Sequence, residues 1–488
     1  MTLARGAAAP SAPAHENSER GSWRLPKSCW FAVYGAFLGV ALFVLAWRTM
    51  PDDALITLSF ARNLAQHGCW CLASGVESNT ATSPLNVWLL AAVVLTTGKA
   101  FWAAAVVLSL SLALLALWCH RLGGAAAAVL GPLAIATAPV FASAVGMETV
   151  LVAAVLVGLA VYALEGRPVA TGVMVGAAWL ARPDILVPAV VLVVGATVVL
   201  RTPRLLASLP LGALLVSPWV LFSWWHFGSA WPNSVAVKWA NGTWGGRSIT
   251  DVSFFWEQWP LVTAVTVATM ACGAVATVLA GALRAWPSLL TGLAGIAHLA
   301  ALATQETPPI FYYAGPSLAG LTLATVLLCS RARTAVVVAS LLVAASVVVL
   351  IANGSWWLRG IGPIRENWAT NEQYAAIARD LPTDAVVLGG EIGGLAFYCA
   401  DRCRVVDPVL SDPGRTDVLI AKFRREHPRL SALNYVHYDP PPIIPVVYRV
   451  RAGVAAPGPG PSWPITRNPG WYQWAILERV ENPLQVAN

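Results

Sequence analysis

Apolar runs long enough to cross a hydrocarbon core of roughly 30 Å recur through the first 350 residues. The pattern predicts about eleven spans, at 31–47, 100–119, 124–144, 147–164, 168–181, 184–200, 205–225, 260–283, 287–304, 310–330 and 334–352. One more run, Pro84–Thr97, is short for a crossing. Beyond residue 352 the periodicity becomes that of a small α/β domain. Helical spacing over Trp368–Leu381 stops at Pro382, and Arg415–Glu426 is amphipathic. Strand-like segments are Ala385–Leu388, Val405–Asp407, Asn434–Tyr438, Ile443–Tyr448 and Trp471–Leu477, with a Pro- and Gly-rich loop at 456–470. The predicted fold is an α-helical multi-pass membrane bundle with a small C-terminal α/β domain. Residues 1–28 read as a disordered cytoplasmic N-terminus, 29–352 as the membrane module with loops 48–83 and 226–259, and 353–488 as the soluble domain.

Composition follows the same division. The chain is 57% hydrophobic and 11% charged, where a soluble domain carries about 25% charge. Of its 31 basic and 24 acidic residues, 14 and 13 fall in 353–488. The net charge of +7 is not a nucleic-acid signal, because the excess lies mostly in short loops between apolar runs. Arg5, Arg20, Arg24 and Lys27 precede the first run, and Arg48-Thr49-Met50-Pro51 follows it without a cleavage signature. It is read as a retained helix.

Orientation turns on Pro84–Thr97. If that run does not cross, Arg121, Arg167, Arg201, Arg204, Arg284, Arg331 and Arg333 all share the cytoplasmic side with the N-terminus, as the positive-inside rule requires. Loops 48–83 and 226–259, the turn Gly146–Thr149, the corner Ala181–Asp184 and the tail then face outward. So do Cys69, Cys71, Cys399 and Cys403. Cys399 and Cys403 are disulfide candidates around a tight turn; free thiols are the alternative. Gly389–Gly394 follows a strand, but its spacing fits no nucleotide-binding pattern and it is read as a turn.

Most candidate chemistry falls in the outward loops. Asp52-Asp53 opens a short helical stretch, and paired carboxylates can leave one as a base with a raised pKa. A solvated acidic pair is the alternative. Glu148 shares the window 100–164 with Arg121 as its only other charge, and an acid at such a corner is costly unless used. Its other role would be to favour a helix N-terminus. Arg182 and Lys238 can hold a leaving phosphate, although Arg182 could equally pair with Asp184 and Lys238 could snorkel. His226, Asn233, Tyr312 and Tyr313 are candidates to line a cavity. No metal-ligand spacing stands out, and the sequence requires no cofactor. Oxygen ligands at Asp52-Asp53 and Glu148 would suit Mg²⁺ or Ca²⁺.

The segment from Asp52 through Ile56-Thr57, Ala61-Arg62-Asn63-Leu64 and Glu77-Ser78-Asn79-Thr80 to Ser83-Pro84-Leu85 resembles the first outer loop of the C-type (GT-C) polytopic glycosyltransferases. It is closest to the terminal arabinofuranosyltransferases of actinobacterial cell walls. Gly146-Met147-Glu148-Thr149, Ala181-Arg182-Pro183-Asp184, Phe227-Gly228 with Pro232-Asn233-Ser234 and Lys238, and the tail's helix–strand–glycine turn match in the same order. Phe60, Glu77-Ser78-Asn79 and the displaced Trp88 depart from the usual pattern. The resemblance implies a polyprenyl-phosphate sugar donor held in membrane lipid, arabinofuranose as the sugar, a cell-wall polysaccharide or other glycan acceptor, and Asp53 or Asp52 as the base. Two other functions fit the pattern of spans. A transporter or flippase of lipid-linked sugar would carry ionisable groups near span midpoints and repeat symmetry, and neither is evident. An inactive relative would keep only a cell-wall-binding tail.

Overall fold

A computed structural model describes residues 27–73, 77–241, 246–305, 307–332, 334–364, 367–406, 413–438, 445–454, 460–465 and 472–480. The expected disordered N-terminus lies almost wholly outside these residues, as do Arg333, Asp407, Ile443 and most of loop 456–470.

Seven helical stretches among the described residues are long and apolar enough to cross a membrane. They are Ser28–Thr49, Ala100–Thr137, Pro183–Leu200, Pro203–His226, Pro260–Ala282, Trp286–Thr304 and Phe311–Cys329. Pro84–Thr97, Thr149–Leu164, Pro168–Ala181 and Val336–Ala352 are shorter apolar helices, so the expected count of eleven spans is not established. Val198, Trp225, Val278 and Ile351 stand exposed on the bundle surface, as apolar side chains do where the solvent is hydrocarbon. Small residues bring the helices close: a Cβ on Gly320 would fall 2.8 Å from the Cα of Gly295.

Ala100–Thr137 is interrupted at Gly124 (φ 74°, ψ −162°). Cys119 Sγ packs against Gly131, twelve residues later, where a straight helix would separate them by about 18 Å. The chain therefore reverses at Gly124, a left-handed position that glycine adopts without a Cβ clash. The separate runs 100–119 and 124–144 are the two arms of this reversal.

Pro84–Thr97 leads through Gly98 (φ 70°) into Ala100. Phe101 meets Trp47, at the end of the first span, and Phe397 of the C-terminal domain. The run therefore ends at the same end of the bundle as the loop that precedes it. At the opposite end Arg121 pairs with Glu165, and Arg121 and Arg167 both lie over the Tyr162 ring.

The C-terminal domain is built on a five-stranded sheet of order β2-β1-β3-β5-β4. Its strands are β1 (Val386–Gly389), β2 (Arg404–Val406), β3 (Tyr448–Gly453), β4 (Ser462–Pro464) and β5 (Trp474–Arg479). β1 runs parallel to β2 and β3, whereas β3–β5 and β4–β5 are antiparallel. The strand expected at Asn434–Tyr438 is absent. Pro428–Asn434 is a helix, Tyr435 is buried with Ala236, Ala240, Ile420 and Phe423, and Asn434 accepts from the N–H groups of Ala230 and Trp231 at 2.8 and 3.0 Å. This docks loop 226–259 onto the domain. The strand expected at Ile443–Tyr448 begins only at Tyr448, where alternating Tyr-Arg-Val-Arg faces β5. Of the segment read as a turn, Gly389–Gly394, only Gly390-Glu391 connects elements: Gly389 ends β1, and Ile392, Gly393 and Gly394 already belong to a helix, Ile392–Cys399.

Candidate active site

The helix Asp52–His67 opens with two acids after Pro51. Successive residues on a helix point about 100° apart, and this separates the two carboxylates. Asp52 accepts from the N–H groups of Gly393 and Gly394 at 3.0 and 2.7 Å, at the N-terminus of the helix Ile392–Cys399. Unpaired amides and the helix dipole favour an anion there. The Asp52 N–H donates to Asn367 Oδ1 at 3.1 Å. Asp53 instead lines a cavity of about 390 Å³, where its Oδ2 accepts from the Tyr312 hydroxyl.

The next residue, Tyr313, serves the other side. The two rings sit in the turn Phe311–Ala314, 5.0 Å apart and mutually perpendicular. Lys238, on the helix Asn233–Asn241, donates from Nζ to the Tyr313 hydroxyl and lies over its ring. Burial opposes the Lys238 ammonium, but Tyr313 and Asp53 more than offset it, so its pKa is raised. The guanidinium of Arg182 sits 5.4 Å from the Tyr313 ring centroid.

Arg182 is buried in an ionic chain. Nε and Nη2 donate to the two oxygens of Asp184 at 3.0 and 2.7 Å, and Nη1 donates to Glu148 Oε1 at 3.1 Å. That uses three of its five N–H groups. His298 continues the chain, with Nε2 3.3 Å from Asp184 Oδ2 and Nδ1 2.8 Å from Ser317 Oγ. Glu148, directly before the helix Thr149–Leu164, is buried; burial raises its pKa while Arg182 works the other way. Trp179, Leu186, Val187 and Leu302 make the membrane side of the cavity apolar. Ile392 and Arg404–Val406 form a wall from the C-terminal domain.

No protein-family model matches the chain, and no curated protein matches it by sequence. Solved structures do. The crystal structure of ArnT from Cupriavidus metallidurans in the apo state aligns over 92% of this chain and 97% of its own, with TM-score 0.56 and 15% identity. The chain has a GT-C-like fold. Two weaker likenesses are the archaeal oligosaccharyltransferase AglB from Archaeoglobus fulgidus in complex with an inhibitory peptide and a dolichol-phosphate, and the arabinofuranosyltransferase AftD from Mycobacteria. AglB has TM-score 0.49 and 14% identity over 87% of this chain and 69% of its own. AftD has TM-score 0.46 and 13% identity over 88% and 35%.

Within this GT-C-like frame Asp53, Glu148, Arg182, Lys238, Tyr312 and Tyr313 all line one cavity. Three expected residues do not. Asp52 is turned to the amides of the C-terminal domain. His226 lies outside, 2.7 Å from Glu77 in an exposed pair and stacked on Phe222. Asn233 is buried between loops, its N–H donating to Asn79 O at 2.6 Å. Cys399 and Cys403 are bonded to each other, as are Cys69 and Cys71, with Cα separations of 5.3 and 5.4 Å. The oxygen donors expected for a divalent ion do not converge, because Asp52 and Glu148 face amides and a guanidinium. Among the described residues no group of three or more His, Cys, Asp or Glu could hold a metal.

Sequence reasoning missed His298, which lies inside an apolar run with no local motif, and Arg404. Asp184 entered only as a partner for Arg182. Asn79 entered only as a departure from the family pattern, yet its Nδ2 bridges Ser229 O and Trp231 O at 2.8 and 3.0 Å, joining the two loops that frame the cavity.

Proposed function

We propose that this chain is a membrane glycosyltransferase that moves a sugar, arabinofuranose by the resemblance of its first loop, from a polyprenyl-phosphate donor to a glycan hydroxyl on the outer face. One observation carries the reading. Adjacent tyrosines hold a carboxylate and an ammonium, Asp53 and Lys238, in a single cavity with an apolar membrane side.

In this reading the acceptor hydroxyl gives its proton to Asp53 while its oxygen bonds to the anomeric carbon. The bond from that carbon to the phosphate oxygen breaks, and the polyprenyl phosphate departs with the electron pair. Attack from the face opposite the phosphate inverts the anomeric centre. Lys238 meets the charge growing on the leaving group, since a cation placed where charge develops stabilises the transition state. Arg182 adds its two remaining N–H groups. Glu148 and Asp184 keep the guanidinium in place, so the role of Glu148 is to position Arg182. Tyr312 orients the base. Side chains carry every step, so chelation of divalent ions should leave transfer intact.

The test is sugar transfer from labelled polyprenyl-phosphate sugar in membranes carrying the wild-type chain, Asp53→Asn or Asp52→Asn. We expect Asp53→Asn to lower the rate by about 10²–10⁴-fold, and Asp52→Asn to retain most of it. Equal activity in Asp53→Asn and the wild type would refute the assignment.

A further inference from the structure

Six charged side chains line the cavity: Asp53, Glu148, Arg182, Asp184, Lys238 and Arg404. Five are already engaged. Asp53 and Lys238 are held by Tyr312 and Tyr313, and Glu148 and Asp184 flank Arg182. Arg404 differs. Its side chain is exposed, and among the described residues it has neither a hydrogen-bond nor an ion-pair partner.

The setting of Arg404 is rigid. It starts β2, the edge strand of the sheet, directly after Cys403 of the disulfide. Its N–H donates to Ala385 O at 2.9 Å. Arg402, two residues before, is tied down through Nη2 to the carbonyls of Arg379 and Leu381 at 2.9 and 3.2 Å. The domain is itself fixed against the base, because Asp52 accepts from Gly393 and Gly394. The strand that carries Arg404 is therefore held in place relative to the base, and its side chain and Asp53 line the same cavity.

The three cations divide by element. Arg182 and Lys238 gather at Tyr313, on the bundle and its loop, where the reading above puts the donor phosphate. Arg404 belongs to the C-terminal domain, the part of the cavity wall that contributes no lipid-facing helix. A guanidinium whose side-chain donors have no partner among the described residues matches a phosphate or carboxylate, which can accept two parallel N–H bonds. We infer that Arg404 recognises an anionic group on the acceptor, so that the acceptor class is a glycan bearing a phosphate or carboxylate near its reactive hydroxyl. This rests on the glycosyltransferase reading and adds the acceptor's charge to it.

The test uses the purified full chain in lipid nanodiscs, as wild type, Arg404→Gln and Arg404→Lys. Their affinities are measured for an oligosaccharide bearing one phosphate monoester, its uronic-acid counterpart, its neutral dephosphorylated twin, and farnesyl phosphate as a donor-side probe. The wild type should bind at least one charged glycan more tightly than the neutral one. Arg404→Gln should weaken that binding about tenfold, and Arg404→Lys should recover part of it. Neutral-glycan and farnesyl phosphate binding should be the same in all three. Equal binding of charged and neutral glycans by the wild type, or unchanged charged-glycan binding in Arg404→Gln, overturns the inference. So does loss of farnesyl phosphate binding in that variant, which would place Arg404 on the donor. Failure of the wild type to bind farnesyl phosphate would instead refute the donor reading.

Discussion

Asp52 and Asp53 show how one residue of helical rotation separates two roles. Asp52 is a clamp, and its carboxylate satisfies two backbone N–H groups of another domain. Asp52→Ala should therefore loosen that domain by about 1–3 kcal/mol, read as faster limited proteolysis in the 367–406 segment, with the bundle's melting unchanged. Its neighbour faces the cavity, and Tyr312 is the hydroxyl that orients it. Tyr312→Phe removes only that hydroxyl, so the expected outcome is a lower kcat with KM for the donor nearly constant. Lys238→Met should act the other way round, raising donor KM as well as slowing transfer. Steady-state kinetics with varied donor separate the two.

Ionic packing decides stability where the elements join. Arg182 stands between the helices Pro168–Ala181 and Leu186–Leu200 and reaches Glu148 at the head of a third. Arg182→Met leaves the buried Glu148 and the half-buried Asp184 without their cation, a loss of about 3–5 kcal/mol. The measurable result is a large fall in melting temperature in detergent, smaller when Glu148→Gln is combined with it. At the junction with the C-terminal domain, a Cβ on Gly393 would fall 1.9 Å from the Asp52 carbonyl oxygen. Gly393→Ala should therefore push the helix Ile392–Cys399 off the bundle and reproduce the proteolysis of Asp52→Ala.

Across the whole molecule, the short basic loops between helices and the cavity lie at opposite ends. Arg121, Glu165 and Arg167 gather at one end; the cavity, both loops and the C-terminal domain occupy the other. With the four unpaired cysteines replaced, a cysteine at Thr202 should react only after the membrane is permeabilised, and one at Thr250 should react from outside. Labelling of Thr202→Cys in intact cells would reverse the orientation and place the proposed chemistry in the cytoplasm.

Apolar run length and the charges of the connecting loops were enough to indicate a multi-pass bundle, its reversal near Gly124 and a separate α/β tail. These are properties of contiguous segments, and hydrophobic burial acts on them locally. Part of the candidate site was also conspicuous in the sequence, because an acid or arginine beside an apolar run stands out: the Asp52-Asp53 pair, Glu148 and Arg182 did so, and Lys238 drew notice as a cation in an outward loop. Three-dimensional packing alone decided which carboxylate faces the cavity, since Gly393 and Gly394 lie 341 and 342 residues from Asp52. The same holds for His298, which lies in an apolar run yet meets Asp184 in space, and for Arg404, which only the fold brings to the cavity wall. His226 and Asn233 went the opposite way, because loop packing gave each a partner outside the cavity.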